Sequence, residues 1–473
     1  MEPQSLSEAR HADWDDAVLD GCVVSPLEHG ASPTRRPLAA PRAASPKSAR
    51  WLLRNFTLMA VPLSLNVGAV SSTIAVASVD LGESLGNLAI ALLFLMYTAV
   101  GCVSPVLTQW RGPRPALVAA LFAYSALPAA CLAASLVPRW QWPLVVAGST
   151  ISGGAAGVLW SAQGVYYALS AELYAAAAGV KPEAANAELG ALFAALYLTA
   201  EMSLKLATSL VPILSGRRET NAPLFGLLTV VQLVCALIIT RIDALEEDHV
   251  RCHASVESPT RRPSPARREV LSALRLFVED SQCRRMLPMN LTMGLSIAYL
   301  NGSFNRRVVA KGVGAAAVGF ASAVEVAAAA GLSRPYGAVG KRCGSQAPIC
   351  VLGALSLLGF AAVNVAVAPA TLGRWAFILP LACLFGSGRA TWEGNAKARC
   401  ADLFPSDRTA AFANMQLQCG AGSAAGFFIV LLAPPAAVAY AIVGCAALAV
   451  GALLASDPTP ARPPDAAYTT LEH

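Results

Sequence analysis

Long apolar runs without charged residues dominate the hydropathy pattern of this chain. Eight such runs occupy residues 55–79, 84–110, 115–138, 140–171, 220–240, 286–305, 343–373 and 409–456. An α-helix that crosses a lipid bilayer needs about 20 predominantly apolar residues, and most of these runs reach that length. The pattern therefore predicts an all-α polytopic membrane protein.

Twelve spans result when the runs are divided at polar or proline-rich points. The last run is too long for one helix, and Pro434-Pro435 divides it because proline interrupts a helix. The predicted spans lie near 55–78, 85–107, 115–137, 142–169, 188–214, 221–240, 286–304, 312–333, 347–368, 374–396, 410–432 and 436–456.

Polar segments group these spans into two sets of six. The predicted organisation is a disordered tail at 1–54, a six-helix bundle at 55–240, a hydrophilic linker at 241–285, a second six-helix bundle at 286–456 and a tail at 457–473. A weak repeat supports the division, because Gly154, Trp160 and Gln163 recur 232 residues later as Gly386, Trp392 and Asn395. Two halves repeated in parallel are the plan of the major facilitator fold, and coincidence is the alternative.

Composition and charge exclude several protein classes. Charged residues make up 14% of the chain, against about 25% in an ordinary globular domain. A soluble enzyme, a secreted disulfide scaffold and a nucleic-acid-binding protein are therefore excluded as descriptions of the whole chain. The net charge of +6 reflects topology, since 25 Lys and Arg residues fall on the side of the termini and 7 on the other. This bias predicts that both termini and the linker are cytoplasmic, in the plasma membrane or an endomembrane, with Arg306, Arg307 and Lys311 as a local violation.

Two stretches resemble a known family. Gly153–Tyr166 contains Trp160-Ser161-Ala162-Gln163 after a glycine-rich run, and Gly386–Trp392 is followed by Leu403-Phe404-Pro405. These stretches, within about 81–169 and 386–427, resemble the Unc-ninety-three family, the ion-channel-regulatory branch of the major facilitator superfamily. The resemblance implies a membrane protein that modulates an ion channel or escorts receptors between compartments. It implies no catalytic residues.

The chain departs from its relatives at two points. The loop after the second span, Trp110–Pro115, carries no acidic residue, whereas transporters of the superfamily have an acidic, arginine-rich motif there. In the tenth span, relatives have an acid where this chain has Arg389 and an amide where it has Glu393. The first departure weakens an ordinary transporter gating mechanism.

Charged residues inside spans are costly unless they are paired or face water. Glu201 and Lys205 are four residues apart in the order that favours an intrahelical pair; the alternatives are a self-neutralised packing contact and an ion or proton site at a cavity edge. Glu325 has no partner in its own span, so it requires either protonation or a partner from another span. It is a candidate for ion coupling or for a packing contact.

The fold implies a central cavity lined by the first, fourth, seventh and tenth spans. The polar residues on these spans are Asn66, Gln163, Tyr166, Asn290, Asn301, Arg389, Glu393 and Asn395. The amides have a structural alternative as hydrogen-bonding contacts between helices. We expect an Arg389–Glu393 contact, with Glu393 as the closest neutralising group, so that Glu393→Gln is more harmful alone than together with Arg389→Gln. Gly153-x-x-x-Gly157 and Gly422-x-x-x-Gly426 predict close helix packing.

Two functions remain open at this stage. The first is a non-enzymatic regulator or escort of a channel or receptor, and the second is a secondary transporter of a small solute or ion that uses carboxylates for coupling. Motifs for catalysis, metals or cofactors are not found, so no cofactor is expected, and the predicted partners are membrane lipids with either a membrane protein or a small solute. Tyr468-Thr469-Thr470-Leu471 fits a sorting motif, with a plain disordered tail as the alternative.

Overall fold

The computed structural model describes residues 47–216, 221–245, 266–404 and 407–455, and every regular element in these ranges is a helix. The N-terminal half comprises α1 (Ala49–Asp80), α2 (Glu83–Arg111), α3 (Pro113–Tyr124), α4 (Ala126–Leu136), α5 (Gln141–Ala178), α6 (Pro182–Ser215) and α7 (Ala222–Ile239). The C-terminal half comprises α8 (Ala266–Glu279), α9 (Ser281–Tyr299), α10 (Ala317–Arg342), α11 (Ala347–Ala366), α12 (Trp375–Ala390), α13 (Lys397–Leu403), α14 (Arg408–Leu432) and α15 (Ala436–Leu454). Two π-helical segments interrupt this half: Leu300–Ala310 continues α9, and Thr391–Ala396 joins α12 to α13.

Local sequence explains where several helices begin and end. The Ser48 hydroxyl accepts a hydrogen bond from the Trp51 N–H at 3.3 Å and caps α1. Gly82 adopts a φ of 87° between α1 and α2, in the region that favours glycine, so the chain can reverse over two residues. Pro434 and Pro435 separate α14 from α15, as the sequence predicts.

Nine helical segments in the described ranges are long and apolar enough to cross a membrane. Helices α9, α10 and α12 do not reach that standard. Helix α12 has only 16 residues before its π-helical segment, and α9 and α10 contain polar and charged residues. The fold is thus polytopic and helical, while the count of twelve spans stays a prediction.

The linker differs from its predicted form. Helix α8 lies inside residues 241–285, where no helix is predicted, and α9 begins at Ser281 instead of near residue 286. Asn414 in α14 donates a hydrogen bond to the Ala273 carbonyl at 2.7 Å and so attaches α8 to the bundle. The sorting motif at Tyr468 and Leu471 lies outside the described residues.

Close packing between helices follows the small-residue motifs. Gly153 and Gly157 place α5 directly against α2, where added Cβ atoms would collide with the backbone at Leu93 and Gly101. Gly426 likewise packs against Ala298 of the C-terminal half. These contacts confirm the close helix packing predicted from the glycine patterns.

Hydrogen bonds join the two halves at the end of the bundle that carries the α1–α2 connection. The Asn305 amide donates to the Ala75 carbonyl at 3.0 Å, and the Ser78 hydroxyl donates to the Asn301 carbonyl at 2.7 Å. The Asn87 amide donates to the Gly302 carbonyl at 3.3 Å. This end is the predicted outer face of the membrane, and Asn301 is buried there.

An ion-pair group that we name the outer clasp lies at the same end. Glu83 at the start of α2 pairs with Arg307, and Arg306 lies 3.7 Å from the second carboxylate oxygen. Arg306 also donates to the Ser78 carbonyl. The local excess of basic residues on the predicted outer face thus has an acidic partner from the other half.

Apolar side chains cover much of the outward surface. Leu214, Val230, Leu237 and Leu448 are among the large hydrophobic residues with high exposure. In water such a surface would favour aggregation. It fits contact with membrane lipids, the partner predicted from composition.

Candidate functional site

Five charged side chains meet between the two halves, and we name them the buried charge cluster. Helix α6 contributes Glu201 and Lys205, α10 contributes Glu325, α12 contributes Arg389, and the following π-helical segment contributes Glu393. Their side chains are 1%, 5%, 2%, 9% and 30% exposed, respectively. Four of the five are therefore withdrawn from solvent, and Glu393 is the member that retains access.

Arg389 is the centre of the cluster. Its Nη1 and Nη2 atoms bind the two oxygens of Glu201 at 3.0 and 2.6 Å, a bidentate arrangement that suits a guanidinium and a carboxylate. Nη1 also donates to Glu325 at 2.9 Å, and Nε donates to Glu393 at 2.8 Å. One guanidinium thus binds three carboxylates from three different elements.

Lys205 and Ser71 complete the shell around the carboxylates. The Lys205 ammonium lies 2.9 Å from Glu325 and 3.1 Å from Glu201. The Ser71 hydroxyl of α1 donates to Glu201 at 2.7 Å. Each deeply buried carboxylate therefore has two basic partners, which is how a buried charge avoids a large desolvation cost.

These contacts extend the sequence predictions and correct one of them. The Glu201–Lys205 and Arg389–Glu393 pairs are present, and Glu325 has partners from other helices. However, Glu393 is not the main neutralising group of Arg389, because Glu201 binds it through two oxygens and is far more buried. The double variant would leave Glu201 and Glu325 with Lys205 as their one basic partner in the cluster, and its advantage over Glu393→Gln alone stays a prediction.

The cluster lies in the wall of a cavity of about 190 Å³ between the halves. Polar lining groups include Ser71 and Asn301, together with all five members of the cluster. Six aromatic residues also line it: Phe94, Tyr124, Trp160, Tyr197, Phe385 and Trp392. Trp160 and Trp392 are the positions related by the 232-residue repeat, so the two halves place equivalent tryptophans on the same cavity.

Two predicted lining residues of the N-terminal half lie elsewhere. Asn66 is buried and exchanges hydrogen bonds with Gln232 of α7, with its own amide 3.3 Å from the Gln232 carbonyl. The Tyr166 hydroxyl accepts from the Asn55 amide at 2.6 Å and donates to the Asp243 carbonyl at 2.8 Å. Both residues join helices within one half, which is the alternative considered for the amides. Gln163 is half-buried and does not line the cavity either.

Two predicted residues of the C-terminal half are also contacts between helices. The Asn290 amide donates to Gln418 at 2.7 Å, and its carbonyl accepts from the Trp392 indole at 2.9 Å. The Asn395 amide donates to Gln346 at 2.8 Å. Asn290 does not line the cavity, but its hydrogen bond with the Trp392 indole orients that side chain at the cavity wall.

The aromatic lining of the cavity was not predicted from the sequence. Tyr124 and Tyr197 lie in α3 and α6, outside the four spans expected to form the cavity. Their hydroxyls make no hydrogen bond with another described residue. For Tyr197 the available signal was its helical register, because it precedes Glu201 by four residues and therefore shares its face of α6. Within the described ranges, no cluster of His, Cys, Asp and Glu suits a metal ion.

Comparison with known proteins supports the resemblance seen in the sequence. No family model matches the chain. UNC93-like protein 3 of Arabidopsis thaliana is 24% identical over 371 residues, which cover 73% of this chain and 74% of that protein. The chain is a homologue of UNC93-like proteins. The family resemblance drawn from Gly153–Tyr166 and Gly386–Trp392 is thereby confirmed.

Two solved structures with a similar fold are transporters. The nucleoside transporter NupG aligns with a TM-score of 0.61 at 12% identity, over 85% of this chain and 98% of NupG. The xylose transporter XylE from E. coli, in an inward-open conformation, aligns with a TM-score of 0.57 at 12% identity, over 86% and 95% of the two chains. At these identities the likeness concerns the fold, which is that of major facilitator transporters.

Proposed function

We propose that this UNC93-like membrane protein is a secondary active transporter of a small solute or ion, with the carboxylates of the buried charge cluster as the coupling groups. One observation carries the proposal: the cluster is assembled from both halves at the wall of the cavity that separates them. A purely structural ion pair does not require a cavity at its side. Ionisable groups that line a cavity inside a membrane protein are typical of substrate and ion pathways.

The arrangement of the charges supports movement of the two halves. Glu201 and Lys205 belong to the N-terminal half and contact each other at 3.1 Å. Glu325, Arg389 and Glu393 belong to the C-terminal half, where Arg389 contacts both carboxylates directly. Every charge therefore keeps a partner of opposite sign in its own half when the halves separate, and no ion is left alone at mid-bilayer.

An uptake experiment that does not require the solute to be known beforehand tests the proposal. The purified full chain is reconstituted in liposomes, and the low-molecular-mass filtrate of a cell extract is applied outside under an imposed proton or sodium gradient. Mass spectrometry of the lumen identifies any solute that accumulates above its equilibrium concentration. We expect accumulation with the wild type and its loss with Glu201→Gln.

The matched control is Glu188→Gln, which removes an exposed carboxylate from the same helix. Glu188 contacts the hydroxyl of Tyr174 and lies outside the cavity lining. Accumulation should persist in this variant. If the wild type accumulates no solute under the proton gradient and none under the sodium gradient, transport is contradicted.

Regulation or escort of a channel or receptor is the second candidate. Its support is the UNC93-like sequence similarity, together with the segment Trp110–Pro115 at the junction of α2 and α3, which lacks an acidic residue. Proximity labelling of the full chain in cells tests it: a regulator should label one channel or receptor reproducibly, and Glu393→Gln, which removes the most exposed carboxylate of the cluster, should leave that labelling unchanged. Labelling of abundant membrane proteins alone argues against this function.

Orientation and sorting are further proposals. Cytoplasmic termini follow from the Lys and Arg bias, and a tag near residue 20 or Pro263 should be accessible from the cytoplasm.

Tyr468→Ala should change the steady-state compartment without changing abundance, if the motif with Leu471 is read by an adaptor. Imaging of tagged wild type and variant measures this directly.

A further inference from the structure

The charge cluster has an unbalanced negative charge. Three carboxylates, Glu201, Glu325 and Glu393, face two basic groups, Lys205 and Arg389, so the formal sum is −1. A net charge in a cavity inside the membrane is unfavourable without a counter-ion. The cavity therefore favours a cationic occupant.

The excess charge can be assigned to Glu393. Glu201 and Glu325 each contact both Lys205 and Arg389, whereas Glu393 has Arg389 as its one basic partner among the described residues. Lys397, four residues further on, lies 5.2 Å from the ring centroid of Trp392 and forms no ion pair with Glu393 in the described structure. Glu393 is also 30% exposed, which makes it the most accessible charge of the cluster.

The walls around this charge are aromatic. Trp160 and Tyr197 of the N-terminal half make an edge-to-face contact with centroids 6.3 Å apart, and both line the cavity. Trp392 adjoins Glu393 on the opposite half. Aromatic faces attract cations through their quadrupole, and cages of such rings recognise organic ammonium groups. A small inorganic cation would instead require several oxygen ligands.

The size of the cavity limits the occupant. A volume of about 190 Å³ is below the roughly 300–1,000 Å³ of pockets that hold drug-sized ligands. The occupant therefore has few non-hydrogen atoms. The hydroxyls of Tyr124 and Tyr197, which make no hydrogen bond with another described residue, can accept or donate a hydrogen bond to it.

The geometry points to a small organic ammonium ion as the ligand of this cavity, held between Trp160, Tyr197 and Trp392 with Glu393 as its counter-charge. This inference rests on the proposed function only in treating the cavity as a substrate site. Binding itself does not require transport.

A binding experiment with a neutral isostere tests the inference. The purified full chain in detergent is titrated with choline chloride, and binding is followed by calorimetry and by the shift of the thermal unfolding midpoint, since a ligand of the native state stabilises it. The comparison ligand is 3,3-dimethyl-1-butanol, which has the shape of choline without its charge, and sodium chloride is the salt control. We expect saturable binding of choline alone.

Three variants locate the site. Trp160→Leu and Glu393→Gln should each weaken choline binding by about tenfold or more, as expected for one lost cation–π or charge contact. Trp142→Leu, an exposed tryptophan of the same helix, should bind choline like the wild type. Trp160→Phe provides a folded substitute if the leucine variant fails to fold.

The outcomes separate this inference from the proposed function. Equal binding of choline and the alcohol, binding of sodium in place of choline, or no choline binding by folded wild type overturns the ammonium site. Gradient-driven accumulation of another solute would then still support transport. Choline binding that depends on Trp160 and Glu393 supports the site even if liposomes accumulate nothing.

Discussion

The buried charge cluster and the outer clasp both join the two halves through ion pairs, but in different surroundings. In the cluster, Glu201 and Glu325 are 1% and 2% exposed. In the outer clasp, Glu83, Arg306 and Arg307 are 31%, 30% and 38% exposed. The same chemical contact is thus withdrawn from water in one region and accessible to it in the other.

The difference in solvent access assigns the two regions different roles. An exposed ion pair contributes about 0–1 kcal/mol, because water and salt screen it. Removing one partner from a buried pair costs about 3–5 kcal/mol, because the other charge stays without compensation. The outer clasp can therefore open at small cost, whereas the buried charges of the cluster have to keep partners of opposite sign for the fold to persist.

The largest effect is expected for Arg389→Gln. The variant leaves three carboxylates with Lys205 as their one basic neighbour in the cluster, and we expect a loss of about 3–5 kcal/mol in the free energy of unfolding. The thermal unfolding midpoint in detergent measures it. Arg374→Gln, an exposed arginine just before α12, is the control and should change little. A wild-type midpoint for Arg389→Gln would contradict the central role of this residue.

The next largest effect is a rescue. Glu201→Gln should restore part of the stability lost in Arg389→Gln, since the two residues share a bidentate contact and their joint removal returns the cluster to a formal charge of −1. Glu393→Gln should rescue less. Double-variant cycles should give a coupling energy of about 0.5–3 kcal/mol for the first pair. Equal coupling energies for the Arg389–Glu201 and Arg389–Glu393 pairs would mean that burial does not determine the strength of these contacts.

A smaller effect is expected for Glu393→Gln alone. Glu393 is 30% exposed, so water partly replaces its contact with Arg389, and the loss should be about 1 kcal/mol or less. Glu325→Gln should cost more, because Glu325 is 2% exposed and contacts both Lys205 and Arg389. The thermal unfolding midpoints of Glu393→Gln and Glu325→Gln, measured in the same detergent, show which variant loses more stability. The reverse order would indicate that Glu393 is buried in the detergent-solubilised protein.

The smallest effect is expected for Glu83→Gln in the outer clasp. The change in stability should be at most about 1 kcal/mol, and it should decrease with salt, because the screening length falls from about 10 Å at 0.1 M to about 3 Å at 1 M. Unfolding midpoints at both salt concentrations measure this, with Glu188→Gln as control. A salt-independent loss of several kcal/mol would show that the clasp is not solvent-accessible.

Contacts within one helix could be predicted from the sequence, and contacts between distant helices could not. The Glu201–Lys205 and Arg389–Glu393 pairs follow from a spacing of four residues. The Glu201–Arg389 contact joins residues 188 positions apart and depends on how α6 and α12 approach each other. One sequence contains no information on that approach, so Glu393 stood as the nearest partner of Arg389.

Regular helical periodicity does not hold at one place. Arg389, Glu393 and Lys397 are spaced by four residues, which would place them on one face of a regular α-helix. The segment Thr391–Ala396 is π-helical, with hydrogen bonds to the fifth residue instead of the fourth. Lys397 accordingly reaches over the Trp392 ring and not to Glu393. Amides such as Asn66 were misplaced for a simpler reason, since a polar residue in a span can face a neighbouring helix as well as a cavity.

The outer clasp and the buried charge cluster each include a π-helical segment. Leu300–Ala310 bears both arginines of the outer clasp, and Thr391–Ala396 bears Glu393. Conversion of one π turn into an α turn shifts the register by one residue, which corresponds to about 100° of rotation for everything beyond it. A short local rearrangement would thus turn a whole helix end about its axis. In such a helix, a rotation that changed the ion-pair partners would also move the cavity wall.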